Sequence, residues 1–179
     1  MVPYDIRVIG DPVLRQRAND VTEIDGALVD LVEDMFDVMY DAPGLGLAAP
    51  QIGISRRIFV FDSDERAGVL LNPEIVESAG EWEFEEGCLS IPGLHWPIVR
   101  PRQVLLRGID LDGNTIELEA DDLEARIFQH ELDHLDGVLL IEHLDDEQLR
   151  EAKRALRQMA VETDPVGGGI APSGGLRLP

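Results

Sequence analysis

Hydrophobic residues recur at helical spacing in three stretches of the chain. In the first, Ile24 to Asp41, apolar positions three or four apart form one face. The second, Asp121 to Gly137, opens with two acidic residues at capping-box spacing, Asp121 and Glu124, and ends on glycine. The third runs from Asp145 to Ala160. The pattern therefore predicts three amphipathic helices.

The segments between the first two helices are typical of β-strands. "RIFVFD" reads as a short strand, and four β-rich runs follow from Val69 to about Glu119, punctuated by Asn-Pro, Ala-Gly, Pro-Gly and Asp-Gly pairs. "DLDGNT" predicts a hairpin turn. The glycine-rich "GLGLAAPQIG", between the first helix and the first strand, is expected to be a loop.

The length of the chain, 179 residues, favours one folded domain, which we place at residues 1–160. Residues 161–179 are rich in glycine and proline without apolar periodicity. They are expected to form a flexible C-terminal tail.

The net charge of the chain is −21, with 36 acidic residues against 15 basic ones. Such a surface repels anions, which argues against nonspecific binding to DNA or to an anionic membrane. No secretory signal and no apolar stretch of membrane-spanning length is visible, so we expect a cytoplasmic protein.

The segment "QHELDHLDG" on the second predicted helix places His130 and His134 four residues apart, with Glu131 after the first. At about 100° per residue, both imidazoles continue the apolar stripe of Leu123 and Ile127 and converge on one point. This is the HExxH pattern of zinc hydrolases. The spacing alone also fits two core histidines satisfied by hydrogen bonds.

A third metal ligand has several candidates in the sequence. An extended HExxH pattern needs a histidine at the position of Leu140, so that pattern fails. Cys88 ends a predicted strand and follows Gly87, which allows another backbone to approach closely, and we consider it the better candidate. Three downstream glutamates remain as alternatives: Glu142, Glu147 and Glu151.

Three segments together carry a family resemblance: "GLGLAAPQIG" (44–53), "EGCLS" (86–90) and "HELDH" (130–134). In this order and spacing they resemble the three signature motifs of bacterial peptide deformylase, which removes the formyl group from N-formylmethionine on new proteins. The resemblance covers roughly Val2 to Leu144. It implies a metal-dependent hydrolase that releases formate. It also implies a compact α+β domain, with antiparallel strands packed around a central HExxH helix and a C-terminal helix.

The resemblance implies three metal ligands: Cys88, His130 and His134. It further implies Glu131 as the acid/base, and Gln51 with the backbone N–H of Leu89 as donors to the oxyanion. Such a ligand set leaves a fourth tetrahedral position open, as in catalytic sites. The implied ion is one Fe(2+) per chain, with Zn(2+), Ni(2+) or Co(2+) able to substitute. Glu86 is expected to pair with Arg100 behind the ligands.

The implied partner is an N-formylmethionyl nascent peptide, whose main chain would pair as an added strand with Leu45, Gly46 and Gly87. The resemblance also suggests contact with the ribosome near the exit tunnel through four cations on one face of the last helix: Arg150, Lys153, Arg154 and Arg157. A solvated helix face is the alternative explanation of these charges.

Two other classes of protein share some of these features. A metallopeptidase that cleaves internal amide bonds would share the helix chemistry but not the cysteine ligand or the Gln51 loop. A noncatalytic relative would keep the fold as a binding module, although every expected catalytic residue is present.

Overall fold

The three helices lie where the apolar spacing predicts them. The computed structural model describes residues 4–63 and 66–163. The helices are α1 (Gly26–Asp41), α2 (Asp122–Asp136) and α3 (Asp146–Thr163). Helix α1 begins after Asp25, whose side chain accepts a hydrogen bond from the Leu28 N–H and so caps the helix. Helix α3 continues three residues beyond its predicted end at Ala160.

Seven strands form two antiparallel sheets. They are β1 (Gly46–Ala48), β2 (Ile58–Asp62), β3 (Ala67–Ala79), β4 (Trp82–Cys88), β5 (Ile91–Arg100), β6 (Gln103–Ile109) and β7 (Thr115–Asp121). Five strands form a sheet in the order β1-β2-β3-β6-β7, and β4 pairs with β5 as a separate hairpin. Short 3-10 helices occupy Pro12–Arg15, Ala49–Ile52 and Leu140–His143. The predicted hairpin turn at "DLDGNT" joins β6 to β7.

The five-stranded sheet is covered by a helix on each face. Side chains alternate between the faces of a strand, so the apolar β2 serves two cores at once. Phe59 and Phe61 pack with Phe128 of α2, while Ile58 and Val60 pack with the apolar face of α1. This arrangement fixes α2, the helix that carries the HExxH motif, against the sheet.

The predicted glycine-rich loop and two of the predicted breaks in the β pattern differ from the structure. The glycine-rich segment is not a loop throughout, because residues 46–48 pair with β2 as the edge strand β1. The Asn72-Pro73 pair lies inside β3, where a bulge accommodates the missing proline N–H and Asn72 takes a φ of +49°. The Pro92-Gly93 pair lies inside β5, next to the irregular register at the hairpin end.

The predicted capping box of α2 is also absent. Asp121 occupies the cap position without a side-chain hydrogen bond to the helix. Glu124 binds Ser63 and Arg66 instead, which removes it from the cap. The other end of α2 follows the prediction, because Gly137 takes a left-handed φ of +74° and ends the helix.

The predicted α+β fold is confirmed. The chain forms two compact units, one ending at His143 and one beginning at Leu144, and α3 belongs to the second. The expected domain boundary at residue 160 falls within α3, and residues 164–179 of the proposed tail lie outside the described residues. Within the described ranges, every helix is too short or too polar to cross a bilayer.

Substitution at Gly137 tests how tightly the end of α2 is packed. Gly137→Ala should lower the free energy of unfolding by about 2–4 kcal/mol in urea titrations, because a left-handed backbone is unfavourable for L-residues and overpacking adds a second term. A Cβ at Gly137 would lie 2.8 Å from the backbone of Arg15 and Gln16.

Gly113→Ala is the matched control for this prediction. Gly113 has a φ of +83°, but no described atom outside its neighbours lies within 4 Å of the added Cβ. The control should lose only about 1–2 kcal/mol, the cost of the backbone conformation. Equal losses in the two variants would contradict the packing argument.

Candidate active site

The end of β4 meets α2 at a cluster of sulfur and nitrogen atoms. Cys88 is the last residue of β4, and His130 and His134 lie one turn apart on α2. The Cys88 Sγ lies 3.2 Å from His134 Nε2, and one donor atom from each of the three residues lies within 4.8 Å of the others. The three residues predicted as ligands are therefore close enough to share one ion.

Glu131 is buried beside this cluster, with 4% of its surface exposed. Its carboxylate packs against Gly46 of β1 so closely that a Cβ there would lie 2.5 Å from Oε1. Burial raises the pKa of Glu131 to about 7, although the neighbouring His130 opposes this shift. The carboxyl can therefore exchange a proton near neutral pH. Its Oε2 has no hydrogen-bond partner among the described residues.

The donor set fits a divalent metal ion. Thiolate and imidazole are ligands that iron and zinc accept, and a buried carboxylate with an unpartnered oxygen is placed to bind a water or substrate group. Burial lowers the pKa of His134, which favours the neutral imidazole that metals require. Burial alone would also lower the pKa of His130, but hydrogen bonds to Cys88 and Glu86 raise it.

Gln51 lies in the 3-10 helix that follows β1 and is 1% exposed. Its Oε1 accepts a hydrogen bond of 2.8 Å from the Ala48 N–H, which fixes the orientation of the amide. The amide Nε2 therefore points the other way, 4.0 Å from Cys88 Sγ and 3.4 Å from Ser90 Oγ. A directed N–H donor thus lies beside the candidate metal cluster.

Behind the histidines lies a buried group of charges centred on Glu86 of β4. Glu86 accepts two hydrogen bonds from Arg100, of 2.7 and 3.1 Å, as expected from the family resemblance. It also contacts His130 Nδ1 at 3.1 Å and Arg126 Nη1. Burial would raise the pKa of Glu86, but the bonds with His130 and Arg100 lower it to about 2. Glu86 is therefore ionised and holds the His130 ring.

Sequence reasoning missed Arg126, which was assigned no role. The available signal is its position, one helical turn before His130 on α2 and next to the apolar residues Ala125 and Ile127. A single sequence does not reveal that Glu86 reaches this arginine, because the contact joins residues 40 positions apart.

A cavity of about 510 Å³ opens over the cluster. It is lined by all the residues predicted to bind the peptide, namely Leu45, Gly46 and Gly87, and by Gln51, Cys88, Leu89, His130 and Glu131. His134 is not part of this lining and lies deeper, at 1% exposure. Leu89 lies in the turn between β4 and β5. The motif residues of three chain segments thus face one open space.

Comparison with known proteins assigns the chain to one family. The sequence model of the family described as polypeptide deformylase matches residues 3–150. The chain belongs to the peptide deformylase family. The peptide deformylase of Acidothermus cellulolyticus is 50% identical over 158 residues, 88% of each chain. That of Hydrogenovibrio crunogenus is 44% identical, over 92% of this chain and 99% of its own.

Solved structures agree with this assignment. The crystal structure of a peptide deformylase from Legionella pneumophila superposes with a TM-score of 0.84 at 42% identity, covering 89% of this chain and 96% of that one. Peptide deformylases are metal-dependent hydrolases that remove formyl groups from nascent peptides, so this chain is an enzyme of that class. The predicted family, fold class and activity are confirmed.

Removal of the thiolate tests whether Cys88, His130 and His134 together bind a metal ion in this deformylase. Cys88→Ala should lose most of its bound divalent metal on dialysis, because two imidazoles from one helix form an incomplete site. Elemental analysis of protein loaded with Zn(2+) measures the metal content per chain. His95→Ala is the control, since His95 lines the cavity outside the cluster and its loss should leave the content unchanged. Full metal retention by Cys88→Ala would contradict the ligand assignment.

Proposed function

We propose that this deformylase holds one metal ion on Cys88, His130 and His134 and uses it to hydrolyse N-formylmethionyl peptides. The supporting observation is the convergence of one sulfur and two imidazole nitrogens within 4.8 Å, beside a buried carboxylate. Three protein ligands are the number found in catalytic rather than structural sites.

The proposed physiological ion is Fe(2+), with Zn(2+), Ni(2+) or Co(2+) as substitutes. The ligand types suit both iron and zinc, so the choice of iron comes from the family resemblance. When bound, such an ion would act as a Lewis acid, which lowers the pKa of water and polarises a carbonyl group.

Glu131 is the proposed acid and base. The water that attacks the formyl carbon must lose a proton, and the buried carboxylate next to the cluster accepts it. Its pKa of about 7 allows it to take the proton and then deliver it to the leaving amine nitrogen. Gly46 sets the position of this carboxylate, because any side chain there would displace it.

The proposed oxyanion donors are the Gln51 amide and the backbone N–H of Leu89. Negative charge develops on the formyl oxygen as water adds to the carbon, and directed donors stabilise it. The Ala48 N–H holds the amide with Nε2 toward Cys88, which supports this role for Gln51. Leu89 follows Cys88 directly, so its N–H belongs to the same corner of the cavity.

The proposed peptide site lies between two strand edges. β1 is the terminal strand of its sheet, and β4 has β5 on one side only. The Leu45 carbonyl already accepts from the Asp62 N–H, so in an antiparallel ladder the polar groups of Gly46 face the open edge. An extended peptide can pair there and with Gly87, as β-augmentation requires.

The proposed setting of the reaction is the cytoplasm, on nascent chains at the ribosome. In α3 the cations Arg150, Lys153, Arg154 and Arg157 are all exposed. Four apolar residues among the described side chains of this helix are buried or partly buried: Leu149, Ala152, Leu156 and Met159. This segregation supports a basic contact face, which we define as these four cations, although it also suits a solvated helix.

Neutralising the basic contact face tests the ribosome proposal. Changing its four cations to glutamine should weaken cosedimentation with ribosomes and reduce its salt dependence, because fewer counterions are released. The control variant loses four exposed arginines elsewhere and has the same net charge: Arg7, Arg15, Arg17 and Arg56. Equal ribosome binding by the two variants would contradict the proposed role of the basic contact face.

Formate release tests the proposed chemistry. Protein purified without oxygen should release formate from formyl-Met-Ala-Ser and leave the peptide unfragmented, and metal analysis of the same sample should find about one iron per chain. Glu131→Gln should lower kcat by about 100- to 10,000-fold, the usual contribution of general acid–base catalysis, while it keeps its metal.

Glu124→Gln is the control on the same helix. Glu124 binds Arg66 and Ser63 and does not line the cavity, so this variant should keep the wild-type kcat. Peptide fragments in place of formate would indicate a metallopeptidase. An undiminished kcat in Glu131→Gln would refute the acid/base assignment.

A further inference from the structure

Arg126 is a buried arginine on α2, with 2% of its surface exposed. It precedes His130 by one helical turn, so the two side chains leave the same face of the helix. Burial of a guanidinium is unfavourable unless charges and acceptors surround it. The partners of Arg126 therefore show which charges and acceptors offset the cost of burying it.

Those partners come from both strands of the β4–β5 hairpin. Nη2 donates to the Trp82 carbonyl of β4, and Nη1 donates to the Ile98 carbonyl of β5 at 3.0 Å. The rings of Trp82 and Phe84 cover the guanidinium, with their centroids 5.0 and 5.7 Å from its carbon. Arg126 thus attaches the hairpin that ends in Cys88 to the helix that carries the histidines.

The third partner is Glu86, which connects Arg126 to a histidine of the cluster. Nη1 of Arg126 contacts Oε1 of Glu86, and Oε2 of the same carboxylate contacts His130 Nδ1 at 3.1 Å. Because Nδ1 is engaged there, Nε2 is the imidazole nitrogen left to serve as a ligand. The guanidinium therefore fixes the carboxylate that orients the His130 ring.

Two cations and two anions of this group lie close together. Arg126 and Arg100 are cations, and they face Glu86 and Asp133, which contacts Arg100 at 2.8 Å. Loss of one member leaves an uncompensated charge in the interior, which is costlier than loss of the whole group. Its contacts all join protein groups, so none of them requires a bound ion.

We propose that Arg126 is a positioning residue that assembles the metal site in advance, by holding Cys88 and His130 in register before the ion arrives. The inference rests on the proposed metal function of Cys88, His130 and His134. It predicts that the β4–β5 hairpin is ordered in ion-free protein, and that this order depends on Arg126.

Arg57 provides a matched control, because it is a second buried arginine that ties α2 to the rest of the fold. It is 6% exposed, donates to the Leu135 carbonyl at 3.1 Å and to Asp136 at 2.6 Å, and reaches the Pro73 carbonyl of β3. It thus supports the other end of α2 and touches neither Glu86 nor the hairpin. A purely structural arginine should behave like Arg57.

The first experiment measures metal release. Wild type, Arg126→Met and Arg57→Met are loaded with Zn(2+), and transfer of the metal to a chromogenic chelator is followed over time. Arg126→Met should release Zn(2+) about 10- to 100-fold faster than wild type, the usual effect of losing a residue that supports a metal ligand. Arg57→Met should lose comparable thermal stability and keep the wild-type release rate.

Lysine variants cover the case in which Arg126→Met does not fold. A lysine keeps the charge but lacks the planar fork that reaches several acceptors, so Arg126→Lys should release Zn(2+) at an intermediate rate. Arg57→Lys is its partner control. Equal release rates in the two lysine variants would overturn the proposal.

Hydrogen exchange of the ion-free protein supplies a readout independent of activity. Amides of residues 82–100 should be protected in ion-free wild type and should exchange faster in the Arg126 variants, with little change in the Arg57 variants. If this segment exchanges freely in wild type until Zn(2+) binds, the ion assembles the site and the proposal fails. Wild type that binds no metal would instead refute the proposed function.

Discussion

A carboxylate buried between a strand pair and a helix must be surrounded by cations and donors, and in this deformylase that carboxylate is Glu86. Its two oxygens contact Arg100, Arg126 and His130, which belong to β5 and to α2. The contacts that neutralise Glu86 therefore join the β4–β5 hairpin to helix α2. Cys88 follows Glu86 by two residues, so its sulfur comes to the histidines as part of the same arrangement. The positions of Cys88 and His130 are therefore linked through this buried carboxylate.

The second requirement of the site is close packing around Glu131. Edge strand β1 passes this residue at Gly46 without a side chain, and the resulting burial raises the pKa of the carboxyl to about 7. The same strand leads directly into the 3-10 helix that presents Gln51. One short segment thus packs against the proposed acid/base on α2 and presents the proposed oxyanion donor, and its position follows from its pairing with β2.

The sequence predicts those parts of the structure in which residues of one type recur at a regular spacing along the chain. Helical spacing located α1 and α2 to within two residues, and HExxH spacing placed both imidazoles on one face. The strand at Gly46–Ala48 escaped prediction because three residues carry no periodic signal, and its existence depends on β2. Arg126 escaped for the same reason, since an arginine is buried only if distant residues neutralise it. Contacts between residues distant in the chain, and not local propensity, determine both strand β1 and the burial of Arg126.

Different interactions in this fold supply its stability and the orientation of its site residues. The contacts of Phe59, Phe61 and Phe128 are apolar, and burial of such rings contributes several kcal/mol. The charges around Glu86 contribute less, because desolvation offsets most of their attraction, and apolar replacements of similar volume often do as well. Their directional bonds have a different effect, since each fixes an orientation that apolar contacts leave open. A cluster of donors gathered from two distant chain segments requires fixed orientations, which accounts for charged residues in the interior at this point of the fold.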